Sequence, residues 1–152
     1  LQQMEDELRK NPSNYQAAFT LASTYAGMQQ TDRALQVLDR VLTDPNANAT
    51  AILSLAGAYA QLNNWPKLEA TLERLVKLLP NEAEPWYDLA ALKAALGKQP
   101  EAILNLTRAL QINAARRATN AAAKDLLGAL KADDRFASLR GDAQFQKLVS
   151  GK

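Results

Sequence analysis

The stretch from Glu82 to Ile112, EAEPWYDLAALKAALGKQPEAILNLTRALQI, decides the fold because its apolar spacing occurs twice more in the chain. A shift of 34 residues aligns Leu89 with Leu55 and Leu21, and an alanine follows each of these leucines. The second half of the stretch repeats in the same register at Ala34/Leu68/Ala102, Leu38/Leu72/Leu106 and Val41/Leu75/Ala109. Self-similarity at a fixed period of this length predicts an array of stacked structural units.

Each copy consists of two helical apolar patterns separated by turn residues. The first break reads GMQQTD at 27–32, LNNW at 62–65 and LGKQP at 96–100, where Gly97 suits a helix end and Pro100 suits a first helical turn. The second break reads DPNAN, LPNEAEP or INAA, which again predicts turns between helices. A single pair of helices cannot cover its own apolar face, so the pairs are expected to stack on one another.

The spacing of Trp86, Leu89 and Ala90, followed by Gly97 and by Ala102, Leu106 and Ala109-Leu110, resembles a tetratricopeptide repeat (TPR). The resemblance implies an all-α, right-handed superhelical solenoid of antiparallel helix pairs that forms a single TPR domain over residues 1–152. The organisation it implies is a truncated repeat's second helix at 1–12, full repeats at 15–48, 49–82 and 83–116, and a C-terminal capping helix with a short helical tail at 117–152.

The flanking segments extend this pattern. Leu1, Met4 and Leu8 share one helical face, so the first ten residues are expected to form a helix that packs on the first full repeat. A helix is predicted over about 118–131. The tail repeats an Asp-x-x-Phe-x-x-Leu unit in which the acid is suited to cap a short helix and Phe and Leu are placed to pack. The two units are Asp133/Phe136/Leu139 and Asp142/Phe145/Leu148, and they resemble the ends of many bacterial TPR proteins.

Composition removes most catalytic chemistry. The chain has neither cysteine nor histidine, so thiolate chemistry, disulfides and His-based catalysis are excluded. The sequence also lacks a glycine-rich phosphate loop and metal-ligand spacing, and we therefore expect no enzyme activity, no metal and no cofactor. Trp65 and Trp86 are expected to pack between neighbouring helices rather than to stack on a ligand.

Charge and hydropathy leave the cellular location open. Residues 1–97 carry eight basic and eleven acidic side chains, whereas residues 98–152 carry ten and five. The basic residues of the second segment are not interleaved with aromatics, so nucleic acid is not an expected partner. Within this segment we expect neither a signal peptide nor a membrane-spanning helix, and direct insertion into a membrane is not expected. Since residue 1 is Leu, we expect the chain to be a segment of a longer protein, which is either cytoplasmic or membrane-tethered.

The TPR resemblance implies that an extended peptide or a partner helix binds a concave groove formed by the first helix of each unit. The groove positions it implies are Gln16, Phe19, Thr20, Ser23, Thr50, Leu53, Ser54, Gly57, Gln61, Glu84, Tyr87 and Asp88. Some family members hold the carboxylates of a chaperone tail with Lys, Asn and Arg at these positions. Here Phe19, Ser23 and Ser54 replace the first three of those residues, and Glu84 and Asp88 replace the last two, so such a tail is not an expected ligand.

The expected partner is therefore a neutral or basic peptide, with Phe19, Leu53 and Tyr87 as apolar anchors. Glu84 and Asp88 are four residues apart on one helix, and their mutual repulsion would be relieved by a partner's Lys or Arg. The predicted function is that of a non-catalytic protein–protein interaction scaffold. The alternative is a structural spacer or a self-association module, which would make the protein a homo-oligomer.

Overall fold

The computed structural model describes residues 1–151, and within them the chain forms helices and no strand. Contacts between Cα atoms divide the chain into two compact units, Leu1–Leu78 and Leu79–Lys152. The first unit contains α1 (Gln2–Lys10), α2 (Tyr15–Gly27), α3 (Thr31–Thr43), α4 (Ala49–Gln61) and α5 (Trp65–Leu78). The second contains α6 (Ala83–Ala95), α7 (Gln99–Thr119), α8 (Leu126–Ala132), a 3₁₀ helix (Asp134–Leu139) and α9 (Ala143–Ser150).

The same tight turn joins the helices of each pair. It places Gln29, Asn63 and Gly97, which are 34 residues apart, at φ values of 60°, 54° and 77°. The residue after each of them donates its backbone N–H to the carbonyl five positions earlier, as in Asn64 N to Tyr59 O at 3.0 Å. This pattern closes the helix C-terminus and reverses the chain, and glycine adopts its left-handed conformation at the lowest cost. The predicted helix end at Gly97 and the predicted start at Pro100 are confirmed.

The repeat positions line the cores of both units. Leu21, Leu55 and Leu89 are buried, as are the alanines that follow them. In the first unit, α2 packs on α3 and α4 packs on α5, while α1 contacts α2. In the second unit, α6 packs on α7 and also on the 3₁₀ helix. The predicted burial of the repeated leucines and the predicted N-terminal helix are therefore confirmed.

Trp65 does not pack as expected, because 42% of its surface is exposed. Its position in the 34-residue register is shared with Thr31 and Gln99, which begin helices α3 and α7 and are exposed. Trp86 instead shares a register with the buried Ala18 and Ile52, lies half-buried against the core of the second unit, and donates its indole N–H to the Pro80 carbonyl at 3.0 Å. The interpretation of Trp65 as a core residue was wrong.

The helix expected over 118–131 is also corrected. The predicted turn at INAA is absent, and α7 runs on to Thr119 before a loop leads into α8. Asn113 explains the difference: its buried amide donates to the Lys124 carbonyl at 2.6 Å and accepts from Leu126 N at 3.0 Å. Asn113, a residue type that is common in turns, thus lies inside a helix and holds the following loop by hydrogen bonds.

Candidate protein-interaction surface

The open surface of the first unit lies on α2 and α4, which contact each other. Almost all the groove residues that the sequence predicted on these two helices are exposed, whereas the opposite sides of the helices are buried in the core. We call this surface the α2–α4 face. Its exposed members are Gln16, Thr20, Ser23, Thr50, Leu53, Ser54, Gly57 and Gln61, with Phe19 half-buried beside them.

The α2–α4 face carries no charged side chain, because neither helix contains an Asp, Glu, Lys or Arg. Surface helices of soluble proteins normally present charged residues to water. Here the exposed positions hold small polar residues and Leu53, which is 59% exposed. Depletion of charge around an exposed apolar side chain is the composition found at the centres of protein–protein interfaces.

The equivalent surface of α6 is covered by the chain's own tail. Tyr87, at the repeat position of Leu53, is only 4% exposed, and its ring meets Phe136 edge-on with centroids 5.2 Å apart. The Tyr87 hydroxyl donates to Asp133 Oδ2 at 2.8 Å, and the Arg135 guanidinium lies 5.5 Å from the centre of the Tyr87 ring. In this structure Tyr87 is therefore part of the core of the second unit, and it is not accessible as an apolar anchor.

The carboxylates on α6 and at its N-cap are also paired within the chain. Arg116 reaches Glu84 at 3.3 Å and Glu82 at 3.1 Å, and Arg135 lies 3.6 Å from Asp88. The repulsion expected between Glu84 and Asp88 is thus offset by cations of the same unit. These residues do not supply an unsatisfied acidic patch that only a partner could neutralise.

The tail is held in place by the caps and apolar residues predicted for it. Asp133 accepts the N–H of Arg135 at 3.0 Å, and Asp142 accepts those of Gln144 and Phe145 at 2.8 and 3.1 Å. Phe136, Leu139 and Phe145 are buried, and Leu148 is half-buried. The capping and packing roles are confirmed, although the first short helix is 3₁₀ rather than α.

Asp133 is the polar centre of this contact. Hydrogen bonds from Arg135, together with the one from the Tyr87 hydroxyl, lower the pKa of Asp133 to about 2. Burial and the hydrogen bond to Asp133 raise the pKa of Tyr87, so its hydroxyl remains a proton donor at neutral pH. The Asp133 carboxylate therefore joins the tail to α6 while it is ionised.

Asp133→Asn is expected to lower the melting temperature at pH 6 and to have less effect as the pH falls from about 4 to about 2. The pKa of Asp133 is lower in the folded state than its value of about 3.9 in the unfolded state. The ionised carboxylate therefore stabilises the fold at pH values above about 3.9, and this contribution is lost as the pH falls to the folded-state pKa. Asparagine preserves the helix cap, so the decrease in melting temperature measures the effect of the charge alone. Melting curves across this range test it. The neighbouring Asp134→Asn is the control, since that side chain is fully exposed; equal effects of the two variants would contradict the assigned role.

The sequence interpretation missed Asp133 and Arg135 as partners of α6. Asp133 was recognised only as a cap, and Arg135 only as one of several dispersed basic residues. The tail pattern shows which side chains need to be buried but not which surface buries them. The register carried one weak signal, since the third repeat has an alanine, Ala91, at the position of the exposed Ser23 and Gly57.

Among solved structures, the chain resembles one titled "Crystal structure of MamA", with a TM-score of 0.60 and 19% sequence identity. The match covers 97% of this chain and 79% of that chain. No protein-family model matches the sequence, and no curated protein matches it. None of the helices within residues 1–151 combines the length and apolar character that crossing a bilayer requires. Since MamA is a TPR-like helical protein, the likeness shows that this chain has an all-α, TPR-like repeat fold.

Proposed function

We propose that this chain is a non-catalytic protein–protein interaction scaffold of the TPR family, of the type whose bacterial members end in similar short helices. The observation that carries the proposal is the α2–α4 face, where two neighbouring helices expose Leu53 among uncharged polar side chains. The likeness to MamA, at 19% identity, supports the TPR-like fold on which this proposal rests.

The chemistry of the α2–α4 face favours an uncharged partner segment. Apart from its chain neighbours and the backbone of its own helix, nothing lies within 4 Å of the place where a Cβ of Gly57 would stand, and the nearby Ser54 and Thr50 are small. A partner backbone can therefore approach α4 closely, with its own apolar side chains placed against Leu53 and Phe19. Because the face lacks charge, binding is expected to change little with salt concentration, unlike the basic-peptide binding predicted from Glu84 and Asp88 alone.

Leu53→Asp is expected to weaken partner binding by tenfold or more, on the order of 1.4 kcal/mol. The substitution places a charge at the centre of the uncharged face, where binding would have to desolvate it. The measurement is quantitative affinity purification from the native host, followed by titration of the recovered partner with wild-type and variant protein.

Leu104→Asp is the matched control, because Leu104 is an even more exposed leucine, at 71%, on α7 of the other unit. Both variants are expected to melt like the wild type, since neither leucine is part of a core. If both variants bind the partner equally well, the recognition surface lies outside the α2–α4 face.

A further inference from the structure

A pocket of about 260 Å³ lies between α1, α2 and α3, on a different side of α2 from the α2–α4 face. Its apolar lining comes from Leu8, Leu21 and Val37, and its polar lining includes Tyr25 and three arginines. The arginines are Arg9, Arg33 and Arg40. Glu5 is the acidic residue of the lining, so the pocket is positive although residues 1–78 carry seven basic and eight acidic side chains.

The next repeat shows what the polar positions of this pocket do when they have partners. One period along the chain, Tyr25 corresponds to Tyr59, and Arg33 corresponds to Lys67. The Tyr59 hydroxyl donates to Asp39 Oδ1 at 2.6 Å, and Lys67 Nζ lies 3.4 Å from Asp39 Oδ2. A single carboxylate on α3 thus satisfies one side chain on α4 and one on α5.

Arg40 also has a counterpart in the next repeat that forms hydrogen bonds. Arg40 corresponds to Arg74, whose guanidinium donates to the backbone carbonyls of Leu42, Asp44 and Ala47. Those carbonyls belong to the end of α3 and to the loop that follows it. All three positions in the second repeat are therefore used for structure.

In the first repeat the corresponding bonds are missing. Within residues 1–151, Arg33 contacts the Tyr25 ring at 5.6 Å but has no acidic partner, and Arg40 has none either. The Tyr25 hydroxyl likewise has no hydrogen-bond partner in this part of the chain. Glu5 occupies the register of Asp39 and lines the pocket, yet it forms no ion pair there.

We propose that this pocket binds a carboxylate from an acidic, leucine-containing segment of a partner polypeptide. The carboxylate takes the place that Asp39 fills in the next repeat, accepting from the Tyr25 hydroxyl and pairing with Arg33, while Arg40 adds positive charge to the same pocket. Guanidinium groups are well suited to such bonds. The neighbouring apolar side chain of the partner packs on Leu8 and Val37.

The shape of the site favours an extended polypeptide segment. The pocket itself has a volume of about 260 Å³. An adjoining pocket of about 570 Å³ shares Leu8, Arg9, Val37 and Arg40 with it. The two together follow α3 and offer room for an extended chain.

The test uses a short fluorescein-labelled peptide of alternating glutamate, leucine and serine, and the same peptide with glutamine in place of glutamate. Fluorescence anisotropy is expected to show tighter binding of the glutamate peptide to the wild type. Arg33→Gln/Arg40→Gln should weaken that binding by about tenfold or more. Lys77→Gln/Arg108→Gln, which removes the same charge from two exposed positions elsewhere, should leave it nearly unchanged. Equal binding of the two peptides, or equal losses in the two double variants, would overturn the proposal.

Single substitutions separate the pocket from general electrostatics. Tyr25→Phe removes only the hydroxyl and is expected to weaken the glutamate peptide several-fold without lowering the melting temperature, whereas Tyr59→Phe should lower the melting temperature by several degrees and leave peptide binding unchanged. Glu5→Gln should strengthen binding, because it removes the acid that competes for the same cations. If Glu5→Gln instead lowers the melting temperature and the peptide does not bind, Glu5 itself fills the site.

Two further outcomes test whether this site is independent of the α2–α4 face and where the carboxylate comes from. Leu53→Asp should leave glutamate-peptide binding intact, so failure of this site and failure of the α2–α4 face are distinguishable. Sedimentation at increasing concentration should show a monomer. A dimer that the glutamate peptide dissociates would identify a second copy as the occupant and would overturn the assignment to a separate partner.

Discussion

Removal of residues 133–152 is expected to abolish cooperative folding of the second unit and to cause aggregation. The deleted segment contains Phe136, Leu139 and Phe145, which are buried in one cluster with Tyr87 and the alanines of α6. Full burial of a side chain of this size contributes about 1.5–3 kcal/mol, and a whole domain is stable by only about 5–15 kcal/mol. The truncated chain would also expose the apolar surface of α6 and α8 to water.

Size-exclusion chromatography with light scattering, together with thermal melting, measures this effect. The full-length chain and the truncated chain are compared at several concentrations. A truncated chain that remains monomeric and melts like the full-length chain would show that the tail is a linker, and the cap interpretation would then fail.

Leu55→Ala is expected to lower the free energy of unfolding by about 2–5 kcal/mol. Leu55 is fully buried at the repeat position that defines the fold, and its removal leaves a cavity between packed helices that can collapse only in part. Denaturant titration measures the change.

Leu53→Ala is the matched control for this prediction, because the two leucines lie on the same helix and Leu53 is exposed. The control should change stability by no more than about 0.5 kcal/mol. Equal losses in the two variants would mean that the register of α4 is misassigned.

The sequence was informative about the repeats because their packing is local and periodic. The 34-residue register predicted the buried leucines, and it also brings Gln29 and Asn63 into line with Gly97, although only the glycine was recognised as a helix end. The same register explains why Trp65 is exposed: its helix-start position differs from that of Trp86. Periodicity therefore carries more information than residue type at these positions.

The candidate site was harder to predict because it depends on contacts that are distant in sequence. Tyr87 and Leu53 occupy equivalent positions, yet only Tyr87 is buried, since Phe136 and Asp133 of the tail pack on it. The pattern of the tail does not specify that contact. Asn113 is a similar case, because its role inside α7 follows from the loop that it holds.

The pocket beside Tyr25 could have been found from the sequence. The register pairs Arg33 with Lys67 and Arg40 with Arg74, and a comparison of successive repeats reveals the polar positions that they share. The sequence does not show which of the two acids at this position forms bonds. Asp39 bonds to Tyr59 and Lys67, whereas Glu5 leaves Tyr25 and Arg33 unpaired. That difference depends on side-chain geometry.

Site-specific photo-crosslinking tests the central claim, that the α2–α4 face is open to a partner while the α6 face is covered by the tail. A benzophenone side chain is placed in turn at Ser54, at Asp88 and, as the control, at Leu104, and crosslinked products from the native host are mapped by mass spectrometry. All three positions are exposed, so each should accept the probe. The expected result is a partner protein captured at position 54 in excess over position 104, and at position 88 an internal crosslink to the peptide containing Arg135 and Phe136. Partner capture at position 88, with only background at position 54, would contradict the account.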